Sequence, residues 1–221
     1  MTLENGVNLL YEDKHPMPRD KTESHKRIVE AAKKEFLEYG FADASLRRIA
    51  AAAGIQVSGL YKHFAGKEEM FEALVEPAVE GFFSLYSEIE GEYFDEIEKN
   101  DDDCRFESEQ EIVRAMGYIY DHIDEFNLII NKSAGTQYEN FKHRIAELDE
   151  EVTLRYIEEL KKAGYPVKEY KKKEFHLLVT AYTEAVFQAV AHGFTREEAM
   201  HYANTLEEFY TPAWKAWFGI M

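Results

Sequence analysis

Between Ser45 and Lys67 the chain reads SLRRIAAAAGIQVSGLYKHFAGK, two short helical stretches hinged on a glycine. Ser45 stands where it can cap a first helix whose inward face is Leu46, Ile49, Ala50 and Ala53. Gly54 suits the left-handed backbone that ends such a helix, and Ile55 can pack beneath the turn. A second helix over Ser58 to Phe64 would bury Leu60 and Phe64. That leaves Ser58, Gly59, Tyr61, Lys62 and His63 for other faces. This is the layout of a helix-turn-helix, whose second helix can enter a DNA major groove. The same spacing also fits an αα-corner that only packs.

The flanks favour the first reading. Ile28, Ala31, Ala32, Phe36 and Tyr39 recur at helical spacing, and Gly40 closes that helix. It supplies a third element to cover the backs of the other two. After the motif, Ala65-Gly66 breaks the chain and Lys67-Glu68-Glu69 opens a longer helix. The segment from about Lys26 to Leu74 resembles the N-terminal domain of the TetR family of bacterial transcriptional repressors. The matching residues are Phe36, Gly40, Phe41, Ser45, Ile49, Ala50, Ala53-Gly54, Leu60-Tyr61, His63-Phe64 and Lys67-Glu68. By position in the family motif, the resemblance implies phosphate contacts from Ser45, Tyr61, His63 and Lys67. It places Arg47, Val57, Ser58, Gly59 and Lys62 near base edges. One departure is Gln56, where the family's recognition helix usually opens with Ser or Thr.

Charge is partitioned in the same sense. The whole chain carries a net −17, yet Arg19 to Lys67 is +4 while Glu68 to Met221 is −19. An acidic protein is a poor general ligand for nucleic acid. A basic N-terminal module on an acidic body can still dock, and the body's repulsion fixes one orientation.

The remainder is helical by pattern, with no strand alternation, so the expected fold is all-α: a three-helix DNA-binding domain followed by a larger helical ligand-binding and dimerisation domain. The expected division is an extension over 1–21, the helix-turn-helix domain over 22–67 with its motif at 45–64, and the larger domain over 68–221. In the extension, Val7, Leu9, Leu10 and Tyr11 form an apolar knot ahead of two prolines. A long helix over Glu68–Ile97 contains Pro77, which favours a kink, and Asn100–Asp103 reads as a loop. Tyr138 to Leu160 makes another helix, Lys168 to His192 the next, and Thr195 with Glu198 opens the last through a capping box.

The last two helices can form a four-helix bundle with a second copy through Val179, Tyr182, Val186, Ala189, Ala203, Leu206, Tyr210, Ala213 and Trp217, or complete the subunit's own core. Aromatics crowd the middle helices. Phe83, Tyr86, Met116, Tyr120, Phe126, Tyr138 and Phe141, with His176, Thr180 and Thr183, are candidate linings for a small-molecule pocket; the same side chains can simply fill a thick core. In the resembled family this domain senses an effector, often aromatic or hydrophobic, that lowers operator affinity.

No nucleophile elbow, phosphate loop or dinucleotide fingerprint occurs, so no catalytic residue, cofactor or metal is expected. His122 with Asp121, Asp124 and Glu125 is the nearest approach to a ligand cluster, and it reads as a solvated helix end. The lone Cys104 excludes a disulfide within one subunit. With no signal peptide and no long apolar run, the expected location is the cytoplasm. The expected function is a homodimeric repressor released from a pseudo-palindromic operator by a small molecule. The alternative is a helical ligand- or protein-binding module that no longer binds DNA.

Overall fold

The computed structural model describes residues 21–99 and 110–219. Among them run nine helices and no strand: α1 Lys21–Asp43, α2 Leu46–Ala52, α3 Val57–Leu60, α4 Lys67–Lys99, α5 Glu111–Asp121, α6 Ile123–Asn131, α7 Phe141–Lys162, α8 Lys172–Ala191 and α9 Arg196–Phe218. The N-terminal apolar knot, the Asn100–Asp103 loop and Cys104 lie outside the described residues.

Helices α1, α2 and α3 form a compact module, and α1 also packs on α4 and α6. Phe36 and Phe41 meet Phe71 of α4 edge-on, with centroids 5.3 and 5.5 Å apart. One apolar core therefore runs from Ile28 through Phe71 and Phe126 to Leu206. A second cluster gathers Tyr156, Leu160, Phe175 and Phe218 at the far end. Between the two, α4, α5, α7, α8 and α9 line a half-open cavity.

Local sequence explains most boundaries. Gly40 leaves helical geometry at φ 75°, ψ 166°, a region open to glycine, and Phe41 then donates its N–H to Lys132 O at 2.9 Å. Gly54 takes φ 68° as the turn of the motif requires. The capping box of α9 is formed, Thr195 accepting from the Glu198 N–H.

Several expectations are corrected. The Ser45 side chain makes no cap hydrogen bond; instead its backbone N–H donates 2.7 Å to the carboxylate of Glu35 on α1. The second motif helix is a single turn, Val57–Leu60, followed by tighter turns in which the His63 N–H bonds to Leu60 O at 2.8 Å. The Ser58-Gly59 pair, poor in helix propensity, accounts for the shortness. Helix α8 starts at Lys172 rather than Lys168, because the Lys168 N–H is drawn to Trp217 O at 3.1 Å. Tyr138 precedes α7 rather than lying in it. Pro77 interrupts nothing: α4 is continuous from Lys67 to Lys99, and α9 likewise carries Pro212.

Candidate nucleic-acid interface and interior cavity

The motif sorts its side chains by face. Leu60 and Phe64 are buried, whereas Arg47, Ser58, Tyr61 and Lys62 are exposed; Ser45, Val57, Gly59, His63 and Lys67 are half-buried. A surface groove between the start of α2 and the start of α4 brings together Ser45, Arg47, Tyr61 and Lys67. Val57, Ser58, Gly59, Lys62 and His63 lie outside that groove, on or just after the short α3. Lys67 is held at its base, donating 3.1 Å to Ala42 O with its Nζ 4.5 Å from the Phe41 ring centroid. His63 lies 5.8 Å from the His25 ring, which stacks on Phe64 at 4.9 Å.

Arg48, one residue from Arg47, has another role. Its Nε donates 2.7 Å to Glu35, its Nη2 donates 2.8 Å to Asp43 O, and its guanidinium lies 4.1 Å from the Tyr39 ring centroid. Glu35, buried on α1, thus fixes α2 twice, at its cap through Ser45 and in its first turn through Arg48. Nothing in the sequence marked Glu35 as the organiser of the motif.

The interior cavity, about 120 Å³, is lined by Tyr86, Tyr93, Glu111, Asp149, Tyr156, Tyr182, Glu207, Tyr210 and Trp214 among others. Of the ten side chains expected to line a pocket, Tyr86 alone does so. Met116, Phe126 and Phe141 are fully buried in the main core, Tyr138 packs on Phe71, and Phe83 packs on Phe141. Tyr120 is tied to Phe194 O at 3.1 Å. His176 pairs with Glu150 at 2.7 Å, and Thr180 Oγ1 is buried without a partner. Thr183 stands behind the wall, donating 2.7 Å to Asp149. Glu111, Asp149 and Glu207 were missed because they come from three separate helices, each among many acidic residues.

Burial pushes Glu111 up to about 7, reinforced by Asp149 and Glu207 and opposed by hydrogen bonds from Tyr93 and Tyr182. Burial likewise pushes Asp149 up to about 6 against hydrogen bonds from Thr183 and Tyr86. The Tyr86 and Tyr182 hydroxyls are held above their ordinary value by burial and by these carboxylates.

The stripe expected at a subunit interface is also placed differently. Val179, Val186, Ala189, Ala203 and Leu206 are buried within the subunit, and Tyr182 and Tyr210 line the cavity. Trp217 is half-buried against the second cluster, while Ala213 is exposed. A stripe of this kind satisfies the nearest apolar neighbour first, here the subunit's own core. The exposed apolar side chains of the pair are Leu177, Leu178 and Phe209. Around His122, Asp121 pairs with Arg196, and Asp124 and Glu125 with Lys33. Among the described residues no metal-binding group forms and no helix is long and apolar enough to cross a membrane.

Residues 28–74 match the family model of bacterial regulatory proteins, tetR family. A helix-turn-helix-type transcriptional regulator of Staphylococcus aureus is 32% identical over 82 residues, 37% of this chain and 44% of that protein, so the match spans under half of the relative. Among solved structures, a TetR-like transcriptional regulator from Rhodococcus sp. RHA1 superposes with TM-score 0.53 at 20% identity, covering 87% of this chain and 94% of that one. PfmR, a TetR family regulator from Thermus thermophilus, gives 0.51 at 21% identity, covering 82% and 95%. NalD of Pseudomonas aeruginosa, described as the secondary repressor of the MexAB-OprM multidrug efflux pump, gives 0.51 at 16%, covering 86% and 96%. These structures establish the shared fold. The match over residues 28–74 identifies α1 to the start of α4 as similar to the DNA-binding domain of bacterial regulatory proteins of the tetR family.

Proposed function

We propose that this protein is a DNA-binding transcriptional regulator that acts in the cytoplasm as a homodimeric repressor and is released from a pseudo-palindromic operator by a small molecule. The carrying observation is the exposed edge of the motif: Arg47, Ser58, Tyr61 and Lys62 are exposed, while Arg48, exposed as well, is paired with Glu35. A basic edge kept exposed on a strongly acidic chain suits phosphate and base contacts. Domains divided at 67/68 suit this reading, with α4 as the link between reading module and effector body. No catalytic role is proposed. The effector reading is supported by the cavity, which α4 reaches through Tyr86 and Tyr93 from the same helix that packs on α1.

The test is a gel-shift titration of the full chain against DNA from upstream of its own gene. Specific retardation is expected, weakened by Lys62→Ala. Absence of any sequence preference over random duplex would favour the alternative module that has lost DNA binding.

A further inference from the structure

Glu111, Asp149 and Glu207 open on the cavity, and each is held by neutral donors. Glu111 accepts from Tyr93 at 2.6 Å and Tyr182 at 3.3 Å. Asp149 accepts from Thr183 at 2.7 Å. Glu207 accepts from the Ile112 N–H at 2.6 Å and from Thr211 at 2.8 Å. A fourth acid at the cavity, Glu90, differs: Arg155 reaches it at 2.6 Å. Lys215 also borders the space, and among the described residues no ion pair joins it to these carboxylates. A low-dielectric void thus holds more negative than positive charge. A carboxylate withdrawn from water is disfavoured unless paired with a cation or neutralised; Asp149 is buried and Glu111 and Glu207 half-buried, and this fold supplies the three with hydroxyls and an amide instead.

The void itself is an independent sign of an occupant. Protein cores are close-packed, and spaces of this kind with convergent polar groups are where ligands sit. Its other wall is aromatic, from Tyr86, Tyr156, Tyr210 and Trp214. Aromatic faces attract cations, most of all when desolvated. We infer that the cavity is a binding site for an organic cation, an ammonium group carried on an aromatic or aliphatic body, with Glu111 and Asp149 as its counter-charges. The ammonium replaces the missing cationic partner and the body fills the aromatic space. Carboxylate ligands such as fatty acyl anions are rejected by the same charges.

This inference rests on the effector reading of the cavity, but its test uses no DNA, so a failure of ligand class and a failure of DNA binding are read in separate assays. The full chain is titrated calorimetrically with phenethyltrimethylammonium, with its neutral isostere in which carbon replaces nitrogen, and with the anion hydrocinnamate. The cation should bind at least about tenfold more tightly than the isostere, and the anion more weakly than either. A Glu111→Gln/Asp149→Asn variant should lose that preference while keeping affinity for the isostere. Trp214→Leu should weaken the cation more than the isostere. Should the double variant fail to fold, the ranking on the unaltered protein decides alone. Equal binding of cation and isostere, tighter binding of hydrocinnamate, or no binding of the cation at millimolar concentration each overturns the assignment.

Discussion

Arg47 and Arg48 are chemically identical neighbours, and the helix separates them by about 100° of rotation; both are exposed, but Arg48 is turned onto Glu35. Glu35→Ala would strand the Ser45 N–H and release Arg48, and should cost about 1–3 kcal/mol of stability. Lys62→Ala touches no interior partner and should leave stability within about 0.5 kcal/mol. The same change, at a position that the resemblance sets near base edges, should weaken operator binding and relax sequence preference there. Thermal unfolding and operator affinity measured on single-base operator variants distinguish these outcomes. The buried acids set a second residue-scale expectation. Glu111 and Asp149 titrate near 7 and 6 in the fold, above their ordinary 4.5 and 3.8. The folded state therefore keeps protons that the unfolded chain releases, so this contribution is full below those ordinary values and is lost as pH rises through 6 to 7. Glu111→Gln removes one such titration and should raise stability at about pH 8 by roughly 1–3 kcal/mol, with the gain fading toward about pH 5. Denaturant unfolding at the two pH values checks both sign and size.

At the scale of elements, α4 links the motif to the cavity, and its narrowest place is Gly81. A Cβ there would clash with the Tyr118 hydroxyl, which donates 3.0 Å to Ala78 O. Gly81→Ala must displace Tyr118 and should cost about 1–3 kcal/mol despite the better helix propensity of alanine. Tyr118→Phe removes the offending oxygen, so the double variant should recover part of the loss; a double-mutant cycle by thermal unfolding measures the coupling. Equal loss in both backgrounds would show that the contact is not the cause. Helices of this kind were legible because apolar residues recur with the helical period, and the turn at Gly54 and the box at Thr195 carry their own chemistry. The delayed start of α8 was not legible, since it depends on a bond from Lys168 to Trp217, far along the chain. The cavity was hidden for the same reason. Its acids come from α5, α7 and α9, and no local pattern marks three acidic residues that meet only after folding.

On the scale of the whole molecule, periodicity finds the most apolar stripe of α8 and α9, and the subunit takes that stripe for itself. Ala189 and Ala203 are fully buried, so a glutamate at either would place an unpaired charge in the core and unfold the subunit, whatever its assembly state. The face of the proposed homodimer is to be sought among apolar side chains that the fold leaves outside. Phe209 is 71% exposed and Leu177 67%, the two most exposed large apolar side chains among the described residues. Association through them would bury both without disturbing the cavity behind Tyr182 and Tyr210. The proposed homodimer has to set its two reading modules on successive major grooves of a pseudo-palindrome, about 34–36 Å apart on straight B-form DNA. The expected result is that Phe209→Glu combined with Leu177→Glu gives a folded monomer, with helical circular dichroism intact and operator affinity reduced, since one module then holds only a half-site. Sedimentation equilibrium at micromolar concentration measures the mass. A dimer that survives both substitutions would move the interface away from these side chains, and a monomeric unaltered protein would remove the dimer altogether.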